Sequence, residues 1–398
     1  MTGRDDARRW SLAAVAAVAI LLIVLGMLLW VGTRLGQDVT IVTDAADRLA
    51  IGAPLYDDPA VAHFGPDEDH YYGPPALAAI IAPVRDVPAG VVAVGGLIVA
   101  YLLAAAAVLM ILRASRFGPS GTGAEPAPAE RSRHRSWLAA AVIGLSGCYV
   151  VLAGALLGNP SMLLLPLLAV AFAGLTTNRP WLGGLAIGTL AALRVYPLAL
   201  LVPLAIAGRW REVAWAIAAM VAWTVVGVVY AGPETSVAYI DTALALLRIP
   251  SPESIITNIS PAALADHAGL ASELVRVIRL ASIVAALAMV IGGGVVMRSR
   301  EPGRLLAGLG IAAAGMTLAS ATIWEHYLTV VVVSVLALVV LTGRARWGLL
   351  SAALVSGQFG SGLALIWIPG IVAWWLWRHP AQEPATLSDA DGRPVAFG

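Results

Sequence analysis

The chain alternates between long apolar stretches and short polar connections. A membrane span needs about 20 largely apolar residues, and eight stretches approach or reach this length. They cover residues 10–32, 87–112, 137–157, 161–177, 213–231, 275–297, 303–319 and 326–342. Further apolar length lies at residues 180–208 and 347–377. The pattern predicts an all-α integral membrane protein, a polytopic bundle of about 10–12 membrane segments.

The composition supports this class. Of the 398 residues, 59% are hydrophobic and only 12% are charged, and the mean hydropathy is +0.84. One soluble core cannot bury so much apolar surface, so lipid must solvate a large part of it. The net charge is only +1, and the arginines are spread over several turns, which gives no support to nucleic-acid binding.

The distribution of arginine predicts the topology. Arginines precede the first span and cluster in later turns, and short cytoplasmic loops are enriched in positive charge. We therefore expect a cytoplasmic N-terminus at residues 1–9, a membrane domain over residues 10–378 in the plasma membrane, a cytoplasmic linker at 114–136 and a polar tail at 379–398. Counting crossings then places the connections at residues 34–73, 158–161, 232–272 and 320–326 on the outer side.

The outer loop at residues 34–73 is long enough to carry structure of its own. Within residues 44–51, the apolar residues Ala45, Leu49 and Ile51 alternate with polar residues in a helical rhythm, which predicts an amphipathic helix along the interface. The apolar piece from Ala76 to Val84 is too short to cross and is predicted to be interfacial or re-entrant.

A second irregular segment runs from Pro180 to Gly208, between Arg179 and Arg209. Its length is too small for two spans, so it predicts a re-entrant hairpin with Arg194 in its middle. A charge at this depth needs an anionic partner. A lipid-linked phosphate fits, and a protein carboxylate or snorkelling to water is the alternative.

Four carboxylates of the outer loop are candidates for a general base. Asp38 is the first carboxylate after the first span, and we predict that it is the base, with Asp44, Asp47 and Asp57 as rivals. The alternative is a solvated carboxylate beside the membrane.

Other outer residues have two readings each. His326 and Tyr327 begin a span at the outer surface. They either bind a lipid-linked phosphate or, in the case of His326, form interfacial hydrogen bonds. Trp324 either stacks on a substrate or anchors the helix at the headgroups. Asn258 and Ser260 either form hydrogen bonds to a substrate or cap the helix that follows.

An acidic stretch ends the outer loop. Residues 67–70, with His63 nearby, either bind a divalent cation or form a solvated loop. Because the stretch lacks a defined ligand spacing, no metal site and no cofactor are predicted.

Several of these motifs occur together in a known family. The chain resembles glycosyltransferase family 87, polyprenyl-phosphate-sugar-dependent mannosyl- and arabinofuranosyltransferases of the GT-C class. The motifs that carry the resemblance are Asp38 ahead of Gly52-Ala53-Pro54-Leu55-Tyr56-Asp57, then Tyr71-Tyr72-Gly73-Pro74-Pro75, Gly158-Asn159-Pro160-Ser161, Arg194-Val195-Tyr196-Pro197, Asn258-Ile259-Ser260 and Trp324-Glu325-His326-Tyr327. The chain departs from the family pattern at Val42, at Gly73 and in the loop that contains Pro160.

The resemblance implies a GT-C-like helical bundle and a transfer reaction. A sugar, mannose first and arabinofuranose as the alternative, would pass from polyprenyl phosphate to a cell-envelope glycolipid or polysaccharide with inversion. Asp38 would be the base, with Arg194, His326 and Tyr327 on the donor phosphate. The implied substrate-binding residues are Asp44, Tyr56, Asp57, Tyr72, Asn159, Asn258, Trp324 and Glu325.

Two other classes compete with an enzyme. A lipid or solute transporter also has many helices and a buried arginine, but it would place its polar features at the midplane and often shows internal repeats. We find no such repeat, and the polar features gather on one face. A noncatalytic scaffold would tolerate Asp38→Asn.

Overall fold

The computed structural model describes residues 36–56, 71–116, 149–246, 252–255, 257–320, 322–342 and 362–380. All regular structure in these ranges is helical, which confirms the predicted class. The α-helices are α1 Gln37–Ala50, α2 Pro75–Ile81, α3 Ala89–Arg116, α4 Tyr149–Leu157, α5 Leu164–Thr176, α6 Pro180–Leu193, α7 Leu201–Ile206, α8 Trp210–Leu246, α9 Pro261–His267, α10 Ser272–Val296, α11 Pro302–Leu318, α12 Val331–Thr342 and α13 Ala364–Arg378. Short 3-10 helices occupy Ala82–Val84, Pro160–Leu163, Tyr196–Leu200, Pro252–Ser254 and Glu325–Val330.

Four helical segments of the described chain are long and apolar enough to cross a membrane. They are Gly90–Ser115, Trp210–Ala245, Ser272–Val296 and Glu325–Thr342, each overlapping a predicted span, and six shorter apolar helices accompany them. The predicted first span, Asp57, the acidic stretch with His63 and the polar tail from residue 381 lie outside the described residues. Helix α3 continues to Arg116, so the predicted linker starts later than residue 114.

The helices divide into a buried centre and a lipid-exposed periphery. Every residue of α12 from Val331 to Val339 is buried, and α11 is buried from Leu305 to Leu318. In contrast, α8 and α10 expose large apolar side chains such as Val229 and Val284. A soluble protein would cover most of its surface with polar side chains. The exposed apolar side chains therefore suit a bundle surrounded by lipid.

The segment from Pro180 to Gly208 has the predicted hairpin geometry. Helix α6 ends at Leu193, Arg194 is extended (φ −148°, ψ 130°), and the chain returns through a 3-10 helix and α7. Pro180 and Gly208 line one shallow depression together with Arg209 and Glu212, so the segment ends at the level where it began. Arg194 therefore lies at the tip of the hairpin.

Small residues let the hairpin approach its neighbours closely. A Cβ atom at Gly184 or Gly188 would overlap the backbone of α8 at Glu212 and Ala216. This small-x-x-x-small spacing is typical of helix packing in membranes, where close backbone contact replaces the hydrophobic effect. The first helix of the hairpin is thereby held against the long helix α8.

The part of α8 beyond Gly232 differs from the sequence prediction. The expected loop from Gly232 to about residue 272 is helical as far as Leu246, after a kink at Gly232 (φ 84°, ψ 159°). Gly232 has a positive φ that other residues adopt only with strain, and Pro233 is well suited to the first turn of the helical section that follows. The sequence prediction ended the span at residue 231 and placed a loop from Gly232 onward.

The amphipathic helix of the outer loop also starts earlier than predicted. Helix α1 begins at Gln37, so Asp38 is part of its first turn, and its buried face is Val39, Val42, Ala45 and Ala46. Ile51 was expected on the apolar face, but it follows the helix and is 79% exposed.

Polar groups collect at two ends of the bundle. At one end Arg298 donates to the carbonyl of Ile206 (3.0 Å) and Arg304 to that of His379 (2.5 Å). At the other end Ile259 N donates to Ile323 O (2.8 Å). Helix α10 joins the two ends and is about 37 Å long at 1.5 Å per residue, which matches the thickness of a bilayer core with part of its interface.

We predict that these ends face opposite sides of the membrane. Asp86, near α1, and Arg300, in the turn after α10, are both exposed. Cys148 is the single cysteine of the sequence. In a Cys148→Ser background, a membrane-impermeant thiol reagent applied to intact cells should label Asp86→Cys and leave Arg300→Cys unlabelled until the membrane is opened. Labelling of both variants in intact cells would contradict the two-sided arrangement.

Candidate functional site

The site begins with the way α1 docks on the bundle. Gly36 has a positive φ (75°), and its N–H donates to the carbonyl of Leu156 (2.8 Å) at the end of α4. The next turn starts α1 and presents Asp38, half-buried, at its N-terminus, where the helix dipole favours a negative charge.

Asn159 is the centre of the site. It follows Gly158 and caps the 3-10 helix Pro160–Leu163, since Ser161 N–H donates to its Oδ1 (2.9 Å). Its Nδ2 donates to Asp38 Oδ2 (2.5 Å), and Arg194 Nη2 donates to Asn159 Oδ1. One buried carboxamide therefore touches both the predicted base and the predicted phosphate-binding cation.

Arg194 has a second partner across the site. Its Nη1 donates to the hydroxyl of Tyr327 (3.0 Å), and its Cζ lies 5.5 Å from the centre of that ring. Asp38 is near enough to interact electrostatically with the guanidinium, but among the described residues no carboxylate forms a direct ion pair with Arg194. A guanidinium has five N–H donors, and two of them serve these bonds, so donors are left for an anionic ligand.

A cluster of aromatic rings, here called the aromatic wall, lies beside Arg194 and consists of Tyr196, Trp324, His326 and Tyr327. Tyr327 is buried, and its ring centre lies 5.0 Å from that of Tyr196 and 4.7 Å from that of His326. Trp324 stacks on His326 (6.1 Å, 16°), and its Nε1 donates to Thr257 Oγ1 (3.1 Å). The motif Trp324-Glu325-His326-Tyr327 thus forms one face of the site.

Three buried polar atoms of this region have no hydrogen-bond partner in the described part of the chain. They are Ser161 Oγ, Tyr196 Oη and His326 Nε2. Ser161 and His326 both lie close to Gly154. A Cβ atom at Gly154 would be 2.9 Å from Ser161 Oγ and 3.4 Å from His326 Cβ. Buried polar groups are usually satisfied, so these atoms indicate a place for a polar ligand or water. The sequence motifs contained Ser161 and Tyr196 but gave them no role.

A second aromatic group lies on the α1 side of the site. Tyr56 and Tyr71 stack (6.1 Å), and their hydroxyls donate to the carbonyls of Gly73 (2.7 Å) and Pro74 (2.6 Å). Burial raises the pKa of both tyrosines, so both stay neutral at physiological pH. Tyr239, beyond the kink of α8, lies 5.9 Å from Tyr56 and interacts electrostatically with Arg194. Sequence reasoning missed Tyr239 because the kink that places it was read as a loop.

The three departures from the family pattern have local explanations. Val42 is buried in a cluster with Leu55 and Tyr71. A Cβ at Gly73 would meet the hydroxyl of Tyr71 at 2.7 Å, so Tyr71 occupies the space of a larger residue there. Pro160 is the first residue of the 3-10 helix that Asn159 caps, a position that suits proline.

The remaining predicted residues have different positions. Tyr72 and Glu325 are half-buried and Asp44 is exposed on α1. Asn258 is fully buried, and its carboxamide bonds to Pro252 O, Ser260 N and Ile323 N, while Ser260 Oγ accepts from Ala263 N (3.2 Å) and caps α9. For both Asn258 and Ser260 this favours the structural alternative over sugar binding. The described residues hold no cluster of three metal-binding side chains.

The fold and this geometry define a membrane-embedded site in which a carboxylate and a guanidinium share one amide. The model of glycosyltransferase family 87 matches residues 71–323, well over half of the chain, and the protein belongs to this family of membrane glycosyltransferases. Asn159, Arg194 and Asn258 lie inside the match, whereas Asp38 and the motif at 324–327 lie outside it. The chain matches none of the curated proteins and none of the solved structures with which it was compared.

Gly158 sets the contact between α1 and the Asn159 loop. Its φ is +71°, and a Cβ there would overlap the side chain of Val39, the neighbour of Asp38. We expect Gly158→Ala to displace α1 and to lower sugar transfer about 100-fold, since small misplacements of reacting groups are that costly. Turnover and the thermal unfolding temperature are the measurements.

Two variants separate the overlap from backbone strain. Gly269→Ala has the same type of strain (φ +74°) but open space around the Cβ, and it should keep its activity. Adding Val39→Ala to Gly158→Ala should restore part of the lost activity. Equal losses in both glycine variants would contradict this role of Gly158.

Proposed function

We propose that the protein transfers a sugar, most directly mannose, from a polyprenyl phosphate to a cell-envelope glycolipid or polysaccharide. Arabinofuranose is the alternative sugar, because the family resemblance covers both donors. The observation that carries this proposal is the attachment of Asp38 and Arg194 to the two ends of the Asn159 amide. The reaction takes place at the outer face of the plasma membrane.

Asp38 is the general base of the proposed reaction. The acceptor hydroxyl must lose a proton as it attacks the anomeric carbon, and a half-buried carboxylate is suited to accept it. Asn159 holds one carboxylate oxygen.

Arg194 and Tyr327 bind the leaving phosphate. Negative charge develops on the phosphate oxygens as the glycosidic bond breaks, and donors aimed at that charge stabilise the transition state. Arg194 lies at the tip of the hairpin, at a depth where a lipid-linked phosphate suits it better than a soluble one. The unpartnered Nε2 of His326 supports its predicted place beside this phosphate.

The chemistry is a single displacement. One base and one phosphate-binding cation suffice for attack from the face opposite the leaving group, which inverts the anomeric centre. Retention would need a second carboxylate as nucleophile. The aromatic rings of Tyr56 and Trp324 on the two sides of the site are suited to contact the faces of sugars, and Asp44 and Tyr72 extend the proposed acceptor surface.

We expect Asp38→Asn to abolish most of the transfer. Loss of a general base typically lowers turnover about 10²- to 10⁴-fold, and asparagine keeps the size of the side chain. Purified protein should be assayed with synthetic polyprenyl-phosphate mannose and polyprenyl-phosphate arabinofuranose and with envelope glycolipid acceptors. Asp86→Asn, an exposed carboxylate near α1, is the matched control and should transfer normally. Full activity of Asp38→Asn would show that Asp38 is not the general base. If the unmodified protein transfers no sugar from either donor, a transporter is favoured instead.

We expect Arg194→Gln to weaken stabilisation of the leaving phosphate. Removing one donor of this type costs about 10²- to 10³-fold in turnover, and inhibition by free polyprenyl phosphate should weaken as well. Arg194→Lys keeps the positive charge but lacks the planar guanidinium with its paired donors. Its turnover should lie between that of Arg194→Gln and that of the unmodified protein. Arg300→Gln, exposed at the opposite end, is the control. Unchanged inhibition by polyprenyl phosphate in Arg194→Gln would show that the phosphate binds elsewhere.

A further inference from the structure

The orientation of the Asn159 carboxamide is fixed by its surroundings. Its Oδ1 receives two donors, the N–H of Ser161 and the guanidinium of Arg194, and its Nδ2 donates to the carboxylate of Asp38. A flipped amide would place oxygen against the carboxylate and N–H groups against N–H groups. Both contacts would be repulsive, so the hydrogen-bond partners select one orientation.

This amide also keeps two opposite charges apart. Carboxylates and guanidinium groups form strong two-point pairs when they meet directly. Such a pair would occupy the acceptor sites of Asp38 and the donors of Arg194 that the substrates need. With Asn159 between them, Asp38 bonds to an N–H and Arg194 to a carbonyl oxygen, and each group is held without being neutralised by the other.

We propose that Asn159 is a positioning residue that sets the separation between the base and the phosphate-binding cation. In a single displacement the attacking oxygen and the leaving oxygen lie on opposite sides of the anomeric carbon, with reacting atoms roughly 3–3.5 Å apart on approach. Asp38 must reach the first oxygen and Arg194 the second. One carboxamide between them provides a fixed spacing across the reacting centre. This inference rests on the proposed glycosyl transfer.

The burial of Asn159 agrees with this role. Only 7% of the residue is exposed, and both ends of its amide are used by protein groups. Sequence reasoning predicted that Asn159 binds substrate. That role stays a prediction, whereas the hydrogen bonds of the amide to Asp38 and Arg194 are the observations that support positioning.

The test is a double-mutant cycle in the full chain, with turnover and KM measured for the active polyprenyl-phosphate donor. Asn159→Ala should let Arg194 close on Asp38 and should lower kcat about 10- to 100-fold, with the KM for the acceptor unchanged. Asn159→Gln retains the amide and should keep more activity than Asn159→Ala. In the Asp38→Asn background, adding Asn159→Ala should change the residual rate less than about 3-fold, because residues that act as a unit are not additive.

A purely structural role gives a different pattern. Asn258→Ala, which removes another buried amide that holds backbone groups, should lower the thermal unfolding temperature and change the rate by the same factor with or without Asp38. If Asn159→Ala behaves in this additive way, or raises only the KM, the positioning role is overturned while glycosyl transfer stands. If the unmodified protein transfers sugar from neither donor, both the proposed function and this inference fail.

Discussion

The hydrogen bonds of Asn159 to Asp38 and Arg194 are the interaction on which the rest of this structure depends. They join three parts of the chain that are far apart in sequence: the amphipathic helix α1, the loop after α4 and the tip of the α6–α7 hairpin. An arginine within apolar surroundings is costly unless its donors are satisfied. In this structure Arg194 donates to the amide oxygen of Asn159 and to the hydroxyl of Tyr327. Both partners are uncharged, so the positive charge remains available to a ligand.

Close packing delivers these groups to one place. Gly184 and Gly188 bring the hairpin against α8, and Gly158 lets α1 approach the Asn159 loop. The buried helices α11 and α12 support the aromatic wall, because Tyr327 belongs to the 3-10 turn that leads into α12. The rigid centre of the bundle therefore fixes the cation, while the base arrives on a peripheral helix whose docking depends on a few contacts.

Much of this arrangement is readable from the sequence. Apolar length predicts the spans, the arginines at 179 and 209 predict the hairpin, and the charge of Arg194 within it predicts a polar site. The helix beyond Gly232 was missed, because a Gly-Pro pair usually ends a helix and here only bends one. The roles of Asn159 and Asn258 were also not readable, since two buried asparagines look alike until their partners are known. Asn258 bonds to backbone groups, whereas Asn159 bonds to two charged side chains as well as to the N–H of Ser161.

The central claim is that one carboxylate and one guanidinium, held on either side of a single amide, carry out one displacement at the anomeric carbon. The most direct measurement is the anomeric configuration of the transferred sugar, determined by NMR of the product made from a donor of defined configuration. The account predicts a product with the configuration opposite to that of the donor. A product that retains the donor configuration would contradict it, because retention needs a second displacement and a nucleophile other than the acceptor.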